Sequence, residues 1–169
     1  EKLPAQLSEE ELEAHFRHLT PRYFRAHSLQ HIHIDLMQVN QFLKRVADGA
    51  GTRMLEPVIS WYDQSARGYT SVKVCTWDRP GLFTTISGAL AASGLNILSA
   101  RVFSRGDGII IDTFSVVNAR TGGLAKRPER DAFNQWLKQA LLPGDSPGFE
   151  QKIAPLATPS HAGEWELPT

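Results

Sequence analysis

The chain has 169 residues and balances 18 basic side chains against 18 acidic ones, so its formal net charge is zero. This balance argues against a general electrostatic attraction to nucleic acid or to an anionic membrane surface. Cys75 is the only cysteine, so an internal disulfide is excluded and a reducing, cytoplasmic compartment is expected. No apolar run reaches the roughly 20 residues that a membrane-spanning helix needs.

The first part of the chain has the pattern of helices. Ser8 and Glu11 have the spacing of a capping box, in which each side chain bonds the other residue's amide. An apolar stripe then recurs at helical spacing and consists of Leu29, Ile32, Leu36, Val39, Leu43 and Val46. We expect residues 8–48 to be helical, and residues 1–50 to form a helical connector whose stripe needs a partner.

From residue 57 the apolar period changes to that of strands. A short strand is predicted over residues 57–62, at a sheet edge because it begins with proline. Alternating β-branched residues predict a second strand over residues 69–77. Two further strands, over 96–103 and 109–117, flank a tight hairpin loop at 104–108.

Two helices alternate with these strands, one ending near residue 93 and one opening near residue 128. With a possible last strand at 149–153, the order predicts an α+β, ferredoxin-like βαββαβ fold, which is an antiparallel sheet with two helices on one face. We expect this domain to cover residues 55–145. Residues 146–169 are expected to be a linker or tail, and the whole chain to be part of a longer protein.

The most informative segment joins the strand at 69–77 to the helix that follows. Asp78 is predicted to be the N-cap of that helix, and Pro80 to lie in its first turn. Free amides at a helix start, backed by the positive end of the helix dipole, suit a ligand carboxylate or phosphate. The dipole contributes only roughly 0.3–1 kcal/mol, so specificity must come from other contacts. A simple capped turn with no ligand is the alternative.

Several short motifs together resemble the ACT domain, a small regulatory module that binds amino acids. They are Asp78-Arg79-Pro80-Gly81-Leu82, Gly94-Leu95-Asn96-Ile97 and Asp112-Thr113-Phe114. With Ala100-Arg101-Val102-Phe103 and Thr20-Pro21-Arg22-Tyr23-Phe24 added, the chain is most similar to the first C-terminal ACT domain, with its preceding helical segment, of PII uridylyltransferase/uridylyl-removing enzymes. The resemblance covers roughly residues 20–142.

The resemblance implies a regulatory role and no catalytic residue in this chain. Members of that family attach UMP to a small PII-type nitrogen-signalling protein when glutamine is scarce and remove it when glutamine is plentiful. Their ACT region senses glutamine. The resemblance thus implies a small amino acid ligand, a second ACT domain or another copy of this chain as partner, and no cofactor here. The parent's metal-dependent active sites would lie outside this chain.

The predicted ligand site combines one loop with the start of a strand. Its residues are Asp78, Arg79, Pro80, Gly81, Leu82 and Phe83, with Asn96 and Ile97 contributed by a paired module. The loop amides would bind the ligand carboxylate, Asp78 its ammonium group, and Asn96 a glutamine side-chain amide. Two alternatives stay open. Asn96 satisfies local backbone in a turn, or the domain is a ligand-free pairing module that assembles through a sheet edge and the stripe at Leu36, Val39 and Leu43.

Four other positions have less specific interpretations. Asp112, in an apolar strand, is expected to pair with Arg101 on the adjacent strand. Cys75 is expected to be a packed thiol rather than a nucleophile. His15 and His18 have helical i, i+3 spacing, but we expect solvated histidines there rather than a metal site.

Overall fold

The computed structural model describes residues 8–49 and 54–142. The helical segment consists of α1 (Glu9–His18), α2 (Pro21–Ala26) and α3 (Leu29–Asp48), which confirms the prediction of helix over 8–48 apart from two short breaks. The capping box is formed as predicted, since the Ser8 hydroxyl accepts from the Glu11 amide and the Glu11 carboxylate accepts from the Ser8 amide. None of the helices in these two ranges is long and apolar enough to cross a bilayer.

The sheet has four strands, all antiparallel to their neighbours. They are β1 (Val58–Gln64), β2 (Tyr69–Trp77), β3 (Leu95–Ser104) and β4 (Ile109–Asn118), in the spatial order β1-β2-β4-β3. With α4 (Leu82–Ala92) and α5 (Arg127–Leu141), they form the predicted ferredoxin-like α+β fold. β1 lies at one edge, as its proline start predicts, and β3 at the other. The strand suggested at 149–153, like the tail at 146–169, is outside the described residues.

One face of the sheet packs against α4 and α5. Its core is built from alternate strand residues and from the apolar faces of the two helices. The largest contributions come from Val72, Val74, Ile86, Leu90, Phe114, Val116, Phe133 and Leu137, all essentially inaccessible to solvent. Burying a large apolar side chain is worth roughly 1.5–3 kcal/mol, so this layer holds α4 firmly on the sheet. The turn that joins β2 to α4 is thereby fixed in position.

The other face of the sheet packs against the helical segment. Val39 and Phe42 of α3 are buried in one apolar cluster with Cys75 and Ile111. Apart from Leu29, which is 85% exposed, the stripe on α3 therefore finds its partner within the chain. The hypothesis that Leu36, Val39 and Leu43 dock another copy or the catalytic part is wrong, because Leu36 and Val39 are only 3% and 2% exposed and Leu43 packs against the same cluster.

Candidate functional site

The turn between β2 and α4 differs from its predicted form. α4 begins at Leu82, and its N-cap is Gly81, with φ of +74° and no capping side chain. The Leu82 amide bonds the Arg79 carbonyl at 3.2 Å, which closes a tight turn before the helix. Glycine adopts this positive φ without steric cost. The prediction that Asp78 caps the helix and that Pro80 lies in its first turn is wrong, because the turn takes up those residues.

The free amides that the sequence predicts are present, but they lie further along the chain. The first intrahelical bond runs from the Thr85 amide to the Gly81 carbonyl at 2.9 Å. Within the described parts of the chain, the amides of Gly81, Phe83 and Thr84 have no backbone acceptor. They lie at the positive end of the α4 dipole, a suitable location for a carboxylate.

The side chains of this loop have different surroundings. Asp78 and Pro80 are exposed, and the Asp78 amide is held by the Gly108 carbonyl at 2.7 Å. The Arg79 guanidinium donates to the Leu141 carbonyl at 2.8 Å, so it fastens the end of α5. Leu82 is 4% exposed and belongs to the core. Asp78 is therefore the charged side chain of the loop that remains accessible, whereas Arg79 and Leu82 hold the loop in place.

An apolar surface with a buried carboxyl beneath it adjoins the loop. Phe83 is 49% exposed and packs over Phe114, with ring centroids 5.8 Å apart. Asp112 lies two residues from Phe114 on the same strand and is 2% exposed. Burial raises the pKa of Asp112 to about 7, and the charge of Asp78 adds to this, while a hydrogen bond from the Phe103 amide acts in the opposite direction. Burial therefore favours the protonated form of this carboxyl.

The predicted ion pair between Asp112 and Arg101 is wrong. In the β3–β4 register Asp112 lies opposite Val102, and Arg101 lies opposite Thr113. Successive residues of a strand point to opposite faces of the sheet, so Arg101 is directed away from Asp112.

Asn96 and Ile97 lie far from the loop within one copy of the chain. Asn96 is opposite Val117 on β4, whereas Trp77, just before the loop, is opposite Ile109. The run from Ile109 to Val117 spans about 27 Å at the usual rise of an antiparallel strand. A single copy therefore does not bring the two halves of the predicted site together.

β3 forms an exposed edge of the sheet. Ile97, Leu98 and Val102 are 37%, 59% and 47% exposed, and Asn96 is also exposed. Among the described residues the Asn96 side chain has no hydrogen-bond partner, so its interpretation as a local turn residue gains no support. An unpaired edge with exposed apolar residues is suited to pairing with another strand.

A buried polar network, which the sequence reasoning missed, joins the helical segment to the sheet. Asp35 of α3 is fully buried and forms an ion pair with Lys73 of β2. Lys73 also donates to the Thr113 hydroxyl at 3.1 Å, and the Tyr23 hydroxyl donates to Asp35 at 2.7 Å. The His27 ring lies 4.0 Å from the same carboxylate. Two features of the sequence indicate this network. Lys73 lies between two valines of a strand, and Asp35 lies within an apolar helical stripe.

His15 extends this network to the β3–β4 hairpin. Its ring lies 3.4 Å from the Tyr23 hydroxyl and 3.0 Å from the Arg105 guanidinium, which also forms an ion pair with Asp107. Burial, and then the charge of Arg105, lower the pKa of His15 to about 4. His15 is fully buried, so the expectation that it is solvated is wrong. The expectation for Cys75 is confirmed, because the thiol is packed in the core and burial raises its pKa.

Comparisons with known proteins find relatives of the sheet domain. The ACT domain family model matches residues 70–127. The bifunctional uridylyltransferase/uridylyl-removing enzyme of Gluconobacter oxydans is 37% identical over 90 residues, which are 53% of this chain and 10% of that protein. The protein of the same name from Azospirillum brasilense is 42% identical over 78 residues, 46% of this chain and 8% of that protein.

A third relative gives the longest match of the three. The bifunctional uridylyltransferase/uridylyl-removing enzyme of Rhodospirillum rubrum is 34% identical over 107 residues, covering 63% of this chain and 11% of that protein. The chain thus spans about a tenth of the length of the curated relatives that it matches. Residues 70–127 match the ACT domain model, and this part of the chain is similar to the matched region of bifunctional uridylyltransferase/uridylyl-removing enzymes.

Proposed function

We propose that this chain is the amino-acid-sensing regulatory module of a bifunctional uridylyltransferase/uridylyl-removing enzyme, with glutamine as its ligand. The active sites lie in other parts of that cytoplasmic enzyme. The PII-type protein that they modify is a partner of the whole enzyme. The supporting observation is the set of amides at Gly81, Phe83 and Thr84, which have no backbone acceptor in the described ranges and follow the exposed Asp78 in the same turn. Such a pairing of donors and acceptor is complementary to a zwitterion.

The ligand-binding site is completed by a second module. If two β3 edges pair antiparallel, the start of each β3 lies beside the end of the other, which adjoins the β2–α4 turn of that copy. Asn96 and Ile97 of one module would then face residues 78–83 of its partner. The partner is a second ACT domain or another copy of this chain. In this arrangement the Asn96 amide pairs with the ligand's side-chain amide, while the loop binds the groups common to all amino acids.

Calorimetric titration of the full chain with glutamine tests this proposal. We expect binding with a Kd between micromolar and millimolar, because an allosteric switch needs a coupling of only about 1–3 kcal/mol. The substitution Asp78→Asn should weaken binding about tenfold or more, since it removes a charged hydrogen bond worth about 1.5–3 kcal/mol. The substitution Asn96→Ala should reduce the preference for glutamine over glutamate.

The matched control is Asp131→Asn, because Asp131 is exposed on α5, away from the loop. It should leave the affinity for glutamine unchanged. Absence of heat at millimolar glutamine, in a sample shown to be dimeric, would reject the ligand. Equal losses from Asp78→Asn and Asp131→Asn would reject the site.

The exposed β3 edge supports a second candidate, a pairing module that binds no ligand. Sedimentation with and without glutamine separates the two. A dimer that forms with the same dissociation constant in both conditions favours the second candidate, whereas tighter pairing in the presence of glutamine favours the sensor.

A further inference from the structure

A groove of about 720 Å³ lies on the face of the sheet that carries α3. The first half of α3 forms one wall and the strands form the floor. Four hydroxyl side chains line it, namely Ser71, Ser99, Thr113 and Ser115. A floor of hydroxyl groups does not stabilise a core, but it supplies hydrogen bonds to a polar ligand.

The charged groups of the groove are mainly cationic. Arg67 and Arg101 line it, against one acidic side chain, Asp63. That carboxylate is already neutralised by Arg130 at 2.6 Å. Lys73 also lines the groove, but its charge is balanced by the buried Asp35 carboxylate. Arg101 is exposed and has no ion-pair partner among the residues that the structure describes. The groove therefore has an uncompensated cation to offer to an anion.

The N-terminal end of α3 reinforces this positive potential. Its first turn contains no acidic residue, and the positive end of the helix dipole lies there. His31 lies in the wall of the groove. Burial, followed by the charge of Lys73, lowers the pKa of His31, with His27 and Arg101 acting in the same direction and Asp35 opposing them.

Aromatic side chains lie at the end of the groove opposite to Arg101. Tyr62 of β1 and Tyr69 of β2 line the groove there. β1 and β3 are separated by three strand spacings, or about 14 Å. This length exceeds that of an inorganic ion and fits an organic molecule with a phosphate at one end and a flat ring at the other.

We propose that this groove binds a small organic phosphate, with its phosphoryl group at Arg101, Ser99 and Thr113 and its ring against Tyr62 and Tyr69. Phosphate is favoured over a carboxylate because two hydroxyl side chains line the groove with a guanidinium that is opposite one of them, and a phosphoryl group has three acceptor oxygens. The groove is on the opposite face of the sheet from α4 and therefore from residues 78–83. Failure of the glutamine proposal would leave this one standing, and the reverse also holds.

Calorimetry on the full chain tests the proposal with adenosine monophosphate, adenosine and inorganic phosphate as probes. We expect adenosine monophosphate to bind, and each of the other two to bind at least about tenfold more weakly, because each lacks one half of the recognised group. The substitution Arg101→Gln should weaken binding of the nucleotide about tenfold, the usual cost of losing one charged hydrogen bond.

Arg120→Gln is the matched control, because Arg120 is an exposed arginine outside the groove lining. It should change the affinity by less than about twofold, a difference within the scatter of independent surface changes. Adenosine binding as tightly as its phosphate, or equal effects of the two arginine variants, would overturn the site. So would the absence of heat with the nucleotide at about 10 mM, since that excludes affinities of biological use. Equal affinity for inorganic phosphate would overturn the assignment of the aromatic end.

Discussion

Asp112 carries an ionisable group into the apolar layer between the sheet and α4. One of its carboxylate oxygens is buried without a hydrogen-bond partner in the described part of the chain. The raised pKa, about 7 against an ordinary 3.8, means that the folded state favours the protonated form. The contribution of this group to stability is therefore greatest below its unfolded pKa and is lost as the pH rises through about 7.

We expect Asp112→Asn to stabilise the protein at pH 8 and to have little effect at pH 4. The gain at pH 8 should be about 1–3 kcal/mol, the range for relieving an unsatisfied buried polar group. Denaturant unfolding of the variant and the native chain at each pH measures the difference. His15 titrates over the same range with the opposite sign, because its folded pKa is lowered, so only the difference between the two proteins isolates Asp112. A difference that does not vary with pH would contradict the assignment.

Gly81 determines how α4 starts. Its φ of +74° turns the chain between the Arg79 carbonyl and the first helical residues. There is space for a side chain, because a Cβ at this position would meet nothing within 4 Å. A substitution therefore affects backbone strain and not packing. We expect Gly81→Ala to cost about 1–2 kcal/mol, the penalty for a left-handed conformation in a residue with a Cβ. It should also weaken glutamine binding, because the amides of residues 81–84 share this geometry.

Gly123→Ala is the control for that change. Gly123 lies in a loop without positive φ, and an added Cβ would make only an ordinary contact with Thr121 at 3.5 Å. Thermal unfolding should show a lower Tm for Gly81→Ala and almost none of that loss for Gly123→Ala. Equal losses in the two variants would mean that the conformation of Gly81 is not what holds the turn.

The elements themselves could be predicted from the sequence because each has a local cause. The capping box at Ser8 and the alternation of β2 depend only on residues close together in the sequence. The sequence therefore predicts these helices, strands and the sheet edge. The sequence predicts too early a start for α4, because Asp78-Arg79-Pro80 has the composition of a helix start and the competing turn depends on the φ of Gly81. Which face Asp112 occupies depends on strand register, and register follows from contacts between distant segments.

The helical segment and the sheet form one packed structure. α3 contributes apolar residues to the cluster with Cys75 and Ile111, and the buried network crosses the same boundary. The sequence leaves the partner of α3 open, because an amphipathic stripe indicates that a helix face is covered but does not indicate which surface covers it. β2 carries both Lys73, which contacts the helical segment, and the residues that precede the β2–α4 turn.

Breaking the Asp35–Lys73 ion pair tests how the helical segment is held to the sheet. Lys73→Met leaves a buried carboxylate beside Tyr23 and His27 with no cation, which typically costs about 3–5 kcal/mol. The double variant Asp35→Leu/Lys73→Met removes both charges and should recover most of the loss, since apolar replacement of a whole buried pair is often neutral. Unfolding free energies of the two single variants and the double variant give the coupling energy of the pair.

The exposed pair of Arg127 and Asp131 is the matched control, with side chains 92% and 65% exposed. Its removal by Arg127→Ala should cost only a few tenths of a kcal/mol. Hydrogen exchange then locates the effect. Lys73→Met should speed exchange in α1–α3 before it does so in β4, because the pair fastens the helical segment to a sheet that α4 and α5 still cover. Simultaneous loss of protection in both layers would mean that the pair supports the whole domain, and that α1–α3 do not respond as a separate unit to events at the sheet.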